Sequence, residues 1–195
     1  MLDKKYWNTF YQKHRKKNEQ PSAFCIFVLD TLPQYTQNKL LILDAGCGNG
    51  RDTYAFAKDG HNVCGIDSCG HLPPDAQHVH FATDDFTVHM KQRYDLIYSR
   101  FTFHSINDEQ QESFLASIQQ PNTFLCIETR SDKGINTKRI HGDTHYRNFT
   151  NIDTLQAQLK AHHFDILFLY EGQDVAVYKD ENPVCIRVIA QKKIE

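Results

Sequence analysis

The string with the plainest chemical meaning is Asp44-Ala45-Gly46-Cys47-Gly48-Asn49-Gly50-Arg51-Asp52, three glycines on alternate positions between acids. Glycines at a strand-to-helix junction let backbone approach a ligand where any Cβ would collide. They also aim the first amides of the following helix at whatever sits there. Asp67 follows at about the 20-residue spacing at which an acid holds ribose hydroxyls. Three further places bear reactive side chains. Thr83-Asp84-Asp85-Phe86 offers two carboxylates. Ser99-Arg100-Phe101-Thr102-Phe103-His104 ends in an imidazole, a group that can take a proton from a hydroxyl near neutral pH. Between Arg130 and Asn148 lie Arg130, Lys133, Lys138, Arg139, His141, His145, Tyr146 and Arg147. Cations beside an imidazole and a phenol suit a phosphate, a carboxylate or a sugar-phosphate.

These groups can act together only if the elements between them deliver them to one place. Apolar runs predict strands at 40–45, 62–67, 78–82, 94–99, 123–129, 164–170 and 184–191. Helical spacing predicts helices near 51–59, 108–119 and 151–162, the last capped by Thr150 or Asn151. Residues 3–17 read as a helix with Tyr6, Trp7, Phe10 and Tyr11 on one side, and Pro21-Ser22 opens a second with Phe24, Phe27, Val28 and Leu32 inward. Ser68 to Gln77, with Pro73-Pro74, is too short for a full helix and reads as a reduced turn. Alternating strands and helices predict a mainly parallel sheet covered on both faces. The last two strands follow one another without a helix and must pair antiparallel. The chain reads as one domain, 1–195, with a helical cap at 1–38 and an α/β core at 39–191. In such sheets ligands bind beyond the carboxyl ends of the strands, where each reactive segment is expected.

The glycine spacing departs from the dinucleotide pattern G-x-G-x-x-G and matches D/E-x-G-x-G-x-G without a gap. Over roughly residues 39–191 the chain resembles the class I S-adenosylmethionine-dependent methyltransferases. The resemblance implies a doubly wound, Rossmann-like sheet of seven strands in the order 3-2-1-4-5-7-6, mostly parallel with an antiparallel final strand. It implies S-adenosyl-L-methionine as cofactor, held by Gly46, Gly48, Arg51, Asp67 and Ser68, by Asp85 (or Asp84) and Phe86 at the adenine, and by backbone near Ser99 and Arg100. The segment after the fourth strand has no N-P-P-Y or D-P-P-Y base clamp, no Pro-Cys nucleophile and no acidic metal triad. His104 stands there as a base for the acceptor or as a structural histidine, and Arg130, His145, Tyr146 and Arg147 as acceptor-binding residues. The Tyr6-Trp7 pair, Tyr11, Pro21-Ser22, Gly50-Arg51-Asp52 and the H-Y-R-x-F string resemble small bacterial methyltransferases of surface-polysaccharide pathways. In that subgroup the leading helices fold over the cofactor, which adds Tyr11 to its contacts. The implied activity is methyl transfer to an oxygen, or less readily a nitrogen, of a small polar or anionic acceptor such as a sugar, sugar-phosphate or glycan end. Its rivals are a cofactor-binding partner protein without turnover, methylation of RNA or protein, and detoxification of tellurite- or arsenite-like oxyanions.

Composition narrows the field. A net charge of −2 gives no global drive toward nucleic acid or an anionic membrane. No apolar run approaches a membrane span and the first residues do not read as a signal peptide. Six cysteines without a C-x-x-C pair read as reduced structural thiols of a cytoplasmic protein. Eleven histidines show no metal-binding spacing, so no metal is expected.

Overall fold

In the computed structural model, residues 4–13, 20–70, 72–88, 92–134 and 145–193 are described, with side chains from 5 to 10 in the first helix. Helices α1 (Lys4–Lys13) and α2 (Ala23–Thr31) precede β1 (Leu41–Ala45), α3 (Arg51–Lys58), β2 (Asn62–Asp67), β3 (Val79–Thr83) and β4 (Leu96–Arg100). There follow α4 (Asp108–Ser117), β5 (Phe124–Arg130), α5 (Ile152–Ala161), β6 (Phe164–Gly172) and β7 (Cys185–Lys192). The seven strands form one sheet in the order β3-β2-β1-β4-β5-β7-β6. The first five pair in parallel, and β7 runs antiparallel to both β5 and β6. Each expected strand is present, and the order is the one the resemblance implies. Each boundary lies within two residues of expectation, as happens where ends depend on the last hydrogen bond rather than on the apolar pattern.

Successive side chains on a strand point to opposite faces, and the two faces fill separately. On one, Leu43, Ile97, Leu125, Ile127 and Val188 pack with Phe114 and Leu115 of α4 and Leu155 and Leu159 of α5. On the other, Ile42, Leu96, Tyr98, Cys126 and Ile189 meet Phe24 and Val28 of α2 and Phe56 of α3. The result is three layers with the sheet between. Truncating any of these buried phenylalanines to Ala costs about 3–5 kcal/mol by loss of transfer energy and the cavity left. Local signals set the helix starts: Asn107 and Gln110 make a reciprocal capping box on α4, and the Asn151 side chain caps α5. Between β2 and β3 the chain makes a turn closed by the Ala76–Val79 bridge, as the proline pair suggested. All six cysteines are buried and free. No described helix is long and apolar enough to cross a membrane.

Candidate active site

The carboxyl ends of β1, β2, β3, β4 and β5 carry, in turn, the glycine turn, Asp67, Asp84-Asp85, the segment Ser99 to His104, and Arg130. After Ala45 the chain passes through Gly46, Gly48 and Gly50, all at positive φ (81°, 57° and 77°). Part of the reason for glycine lies in the protein itself. A Cβ on Gly46 would stand 2.1 Å from Thr102 Cγ2, and one on Gly50 would meet Phe81 and Pro73 at 2.7 and 2.8 Å. Thr102 is fixed there because its hydroxyl donates to Ala45 O (2.9 Å) and lies 2.6 Å from Ser99 Oγ. The turn therefore locks β1 to the end of β4, and no side chain caps the start of α3.

Asp67 is buried, and both its oxygens accept backbone amides, Oδ2 from Gly48 (3.0 Å) and Oδ1 from Cys69 (2.8 Å). Burial pushes its pKa up while these amides pull it back. The Ser68 amide and the Cys69 side chain also act on this carboxylate, so it is anchored at the mouth of the glycine turn. Ser68 beside it is half-buried. At the end of β3, Asp84 Oδ1 accepts the Asp85 amide (2.8 Å), and Asp85 Oδ1 accepts from Thr87 N and Oγ1 (3.0 and 2.7 Å). Phe86 puts its ring into the core against Phe114, so only its backbone can face a ligand. Ser99 is fully buried with its hydroxyl on Thr102. The Arg100 side chain is turned to Glu128, with Nε 3.0 Å from Oε1, and again leaves only backbone toward the turn. Arg51 is half-buried with Nε 3.6 Å from Asp52 Oδ1. Tyr11 lies on α1, but its side chain is outside the described residues.

His104 lies in a short 3-10 turn, Phe103–Ser105, before α4, and is buried. Its Nδ1 faces the Arg130 backbone N–H (3.3 Å) and the Thr129 hydroxyl (3.4 Å). An amide N–H can only donate, so Nδ1 accepts and the neutral ring carries its proton on Nε2. Burial, then the charges of Arg130, Arg147, His145 and Arg100, hold the His104 pKa well below the usual histidine range. The cations of the rim thus gather about this imidazole. Among the described residues Nε2 has no hydrogen-bond partner.

Beside it, Arg130 is buried, ion-paired through Nη2 with Glu181, and stacked over Phe101 at 5.5 Å. Phe101 also takes the Arg100 guanidinium at 4.5 Å and sits at φ 56°, a backbone state few bulky residues adopt. His145 is buried, stacked on Tyr6 (4.5 Å) and edge-on to Trp7 (5.1 Å). Arg147 is half-buried, and Tyr146 is exposed to solvent. Sequence reasoning missed Glu128, Glu181 and Arg187. The Glu128 carboxylate lies between Arg100 and Arg187, the latter at 2.7 Å, and Glu181 brings the β6–β7 connection onto Arg130. Charged residues inside the apolar runs at Glu128 and Arg187 were a usable signal, because two buried charges need each other.

A glycine turn, an acid at the next strand end and this strand order define a Rossmann-like α/β fold with a nucleoside-binding half. The profile of a family described as "Methyltransferase domain" matches residues 11–168. The chain belongs to that family, and its class is the S-adenosylmethionine-dependent methyltransferases. No curated protein matches the sequence. Solved structures match the fold. 1,6-Didemethyltoxoflavin-N1-methyltransferase of Burkholderia thailandensis, solved with 1,6-didemethyltoxoflavin and S-adenosylhomocysteine, has a TM-score of 0.75 at 19% identity, covering 99% of this chain and 88% of that one. An S-adenosylmethionine-dependent methyltransferase of Clostridium acetobutylicum has a TM-score of 0.69 at 12% identity, covering 95% and 97%. The [4+2]-cyclase SpnF has a TM-score of 0.64 at 13% identity, covering 87% and 81%, so one fold serves different chemistries. S-adenosylmethionine is the donor this family implies, and the residues fit it: the left-handed Gly46–Gly50 turn, and Asp67 held beside that turn by the Gly48 amide at the end of the next strand.

Proposed function

We propose that this protein transfers a methyl group to an oxygen of a small polar acceptor, such as a sugar, sugar-phosphate or glycan end. The donor would lie along the Gly46–Gly50 turn, with its ribose on Asp67 and Ser68, its adenine between Asp85 and the Phe86 amide, and its amino group on backbone at Ser99 and Arg100. When bound, it supplies a methyl already activated by positive charge on sulfur. A carbon–oxygen bond forms as the carbon–sulfur bond breaks, the bonding pair returns to sulfur, and the acceptor's proton is lost to water. The chain's own task is then to align and desolvate the two partners.

The observation that carries the reading is His104, buried next to the cationic rim with Nδ1 engaged by the Arg130 amide. In this tautomer Nε2–H donates to the accepting oxygen and orients it. Service as a base at Nε2 requires the proton on Nδ1, where it would oppose the Arg130 N–H. His145, Tyr146 and Arg147 line the acceptor side in this reading.

The test is a screen of sugars, phosphorylated sugars and amines with labelled donor, followed by variants on the best acceptor. His104→Ala should lower turnover about 10²–10⁴-fold. His104→Gln, which keeps a donor near the Nε2 position, should recover most of it. The pH profile should show no rise through 6–7, because His104 stays neutral there. A Gln variant as dead as Ala, with a rise near 6.5 in the wild type, would restore the base reading.

A further inference from the structure

Arg130 is the side chain that this mechanism leaves without full employment. It stands at the end of β5, and its side chain is 9% exposed. One arm of the fork, Nη2, pairs with Glu181, while Nη1 is buried and has no hydrogen-bond partner among the described residues. Its backbone amide holds His104, and its guanidinium lies over Phe101, whose ring is edge-on to His104 at 5.6 Å. A guanidinium anchored on one side and unpartnered on the other is poised for a second oxygen acceptor, and planar two-donor recognition is what arginine does for carboxylate and phosphate. Arg100, Arg130 and Arg187 meet only Glu128 and Glu181 at ion-pair distance among the described residues. Arg147 adds a further cation within electrostatic reach of His104.

We infer that Arg130 Nη1 seats an oxyanion of the acceptor, so that the molecule methylated carries a phosphate or carboxylate close to the atom oriented by His104. Glu181 is the positioning residue: it fixes one arm of the guanidinium and so directs the other. The inference rests on the transferase reading for its biological meaning, but the anion seat can be measured without turnover.

The experiment is calorimetry on protein saturated with S-adenosylhomocysteine, with inorganic phosphate and acetate as probes. Saturable binding of one anion is expected, weakened at least tenfold in Arg130→Gln and not restored by Arg130→Lys. Phosphate binding tighter than acetate identifies a phosphate ester as the acceptor's anion, and the reverse identifies a carboxylate. Lys58→Gln, on an exposed side chain in the last turn of α3, should change neither. If Arg130→Gln does not fold, judged by loss of S-adenosylhomocysteine binding, the double variant Arg130→Gln/Glu181→Gln removes both buried charges and takes its place. Absence of saturable binding of either anion by the wild type, or equal binding in the variant, overturns the inference. A wild type that binds S-adenosylhomocysteine and no anion leaves the transferase reading standing. One that binds phosphate through Arg130 but not S-adenosylhomocysteine sinks that reading and keeps the seat.

Discussion

Asp44 is buried at the end of β1, and its Oδ2 accepts the Thr53 hydroxyl at 2.6 Å. Burial is the main cause that lifts its pKa from an ordinary 3.8 to about 7, with Asp52 and Asp67 adding repulsion. A group whose folded pKa is raised contributes stability that is full below its unfolded value and lost as pH rises through the folded one. The contribution therefore disappears between roughly pH 4 and 7, and at 1.36 kcal/mol per unit it is on the order of 4 kcal/mol. Asp44→Asn keeps an oxygen for Thr53 and cannot ionise. Its melting temperature should match wild type near pH 4 and exceed it by about 8–16 °C at pH 8, at roughly 2–4 °C per kcal/mol for a chain of this size. Parallel melting curves across pH would mean that Asp44 does not titrate there. The glycine string was legible because it combines residue type with spacing. That Gly46 is required by Thr102 was not, since the two are brought together by β1 and β4 pairing rather than by sequence.

Helix α1 bridges two loops of the site. Its Asn8 Oδ1 accepts the Gly70 amide (3.2 Å), three residues past Asp67, while Tyr6 and Trp7 pack on His145 beyond β5. One turn of the helix, Tyr6 to Asn8, thus touches both the loop after β2 and the segment beyond β5. An aromatic stripe near the N-terminus was readable from the sequence. The partner histidine was not, because a contact between residues 7 and 145 leaves no periodicity. Trp7 is the only tryptophan in the chain, so intrinsic fluorescence reports on this helix. Adding S-adenosylhomocysteine should shift or quench the emission, and His145→Ala should blunt the response. Tyr6→Ala/Trp7→Ala should raise KM for the acceptor while leaving unfolding by denaturant nearly unchanged, because the two main core clusters do not include α1. A large loss of stability would make α1 part of the core instead of a cover.

Across the molecule, the strands followed from apolar runs and the antiparallel end from the absence of a helix before β7, while their order in the sheet came from the resemblance to class I methyltransferases. The charges that tie the layers together did not follow, because they depend on register. Glu128 of β5 is opposite Arg187 of the antiparallel β7 and opposite Arg100 of β4. Arg187 Nε donates to Glu128 Oε2 at 2.7 Å, and Arg100 Nε lies 3.0 Å from Oε1 without hydrogen-bond alignment. The Arg187 guanidinium also donates to Val175 O and lies over Phe24 and Phe27 of α2. One fully buried carboxylate thus joins three strands, a helix layer and the β6–β7 connection. Removing a single member of such a group strands the others as buried, uncompensated charge, which typically costs 3–5 kcal/mol. Glu128→Gln should therefore lower unfolding free energy by about that amount in urea. Replacing all three by apolar residues of similar volume should recover most of the loss, since a buried ion group often contributes little over a packed apolar one. If Glu128→Gln unfolds at the wild-type midpoint, the two arginines have water or another carboxylate to turn to, and the sheet is held by packing alone.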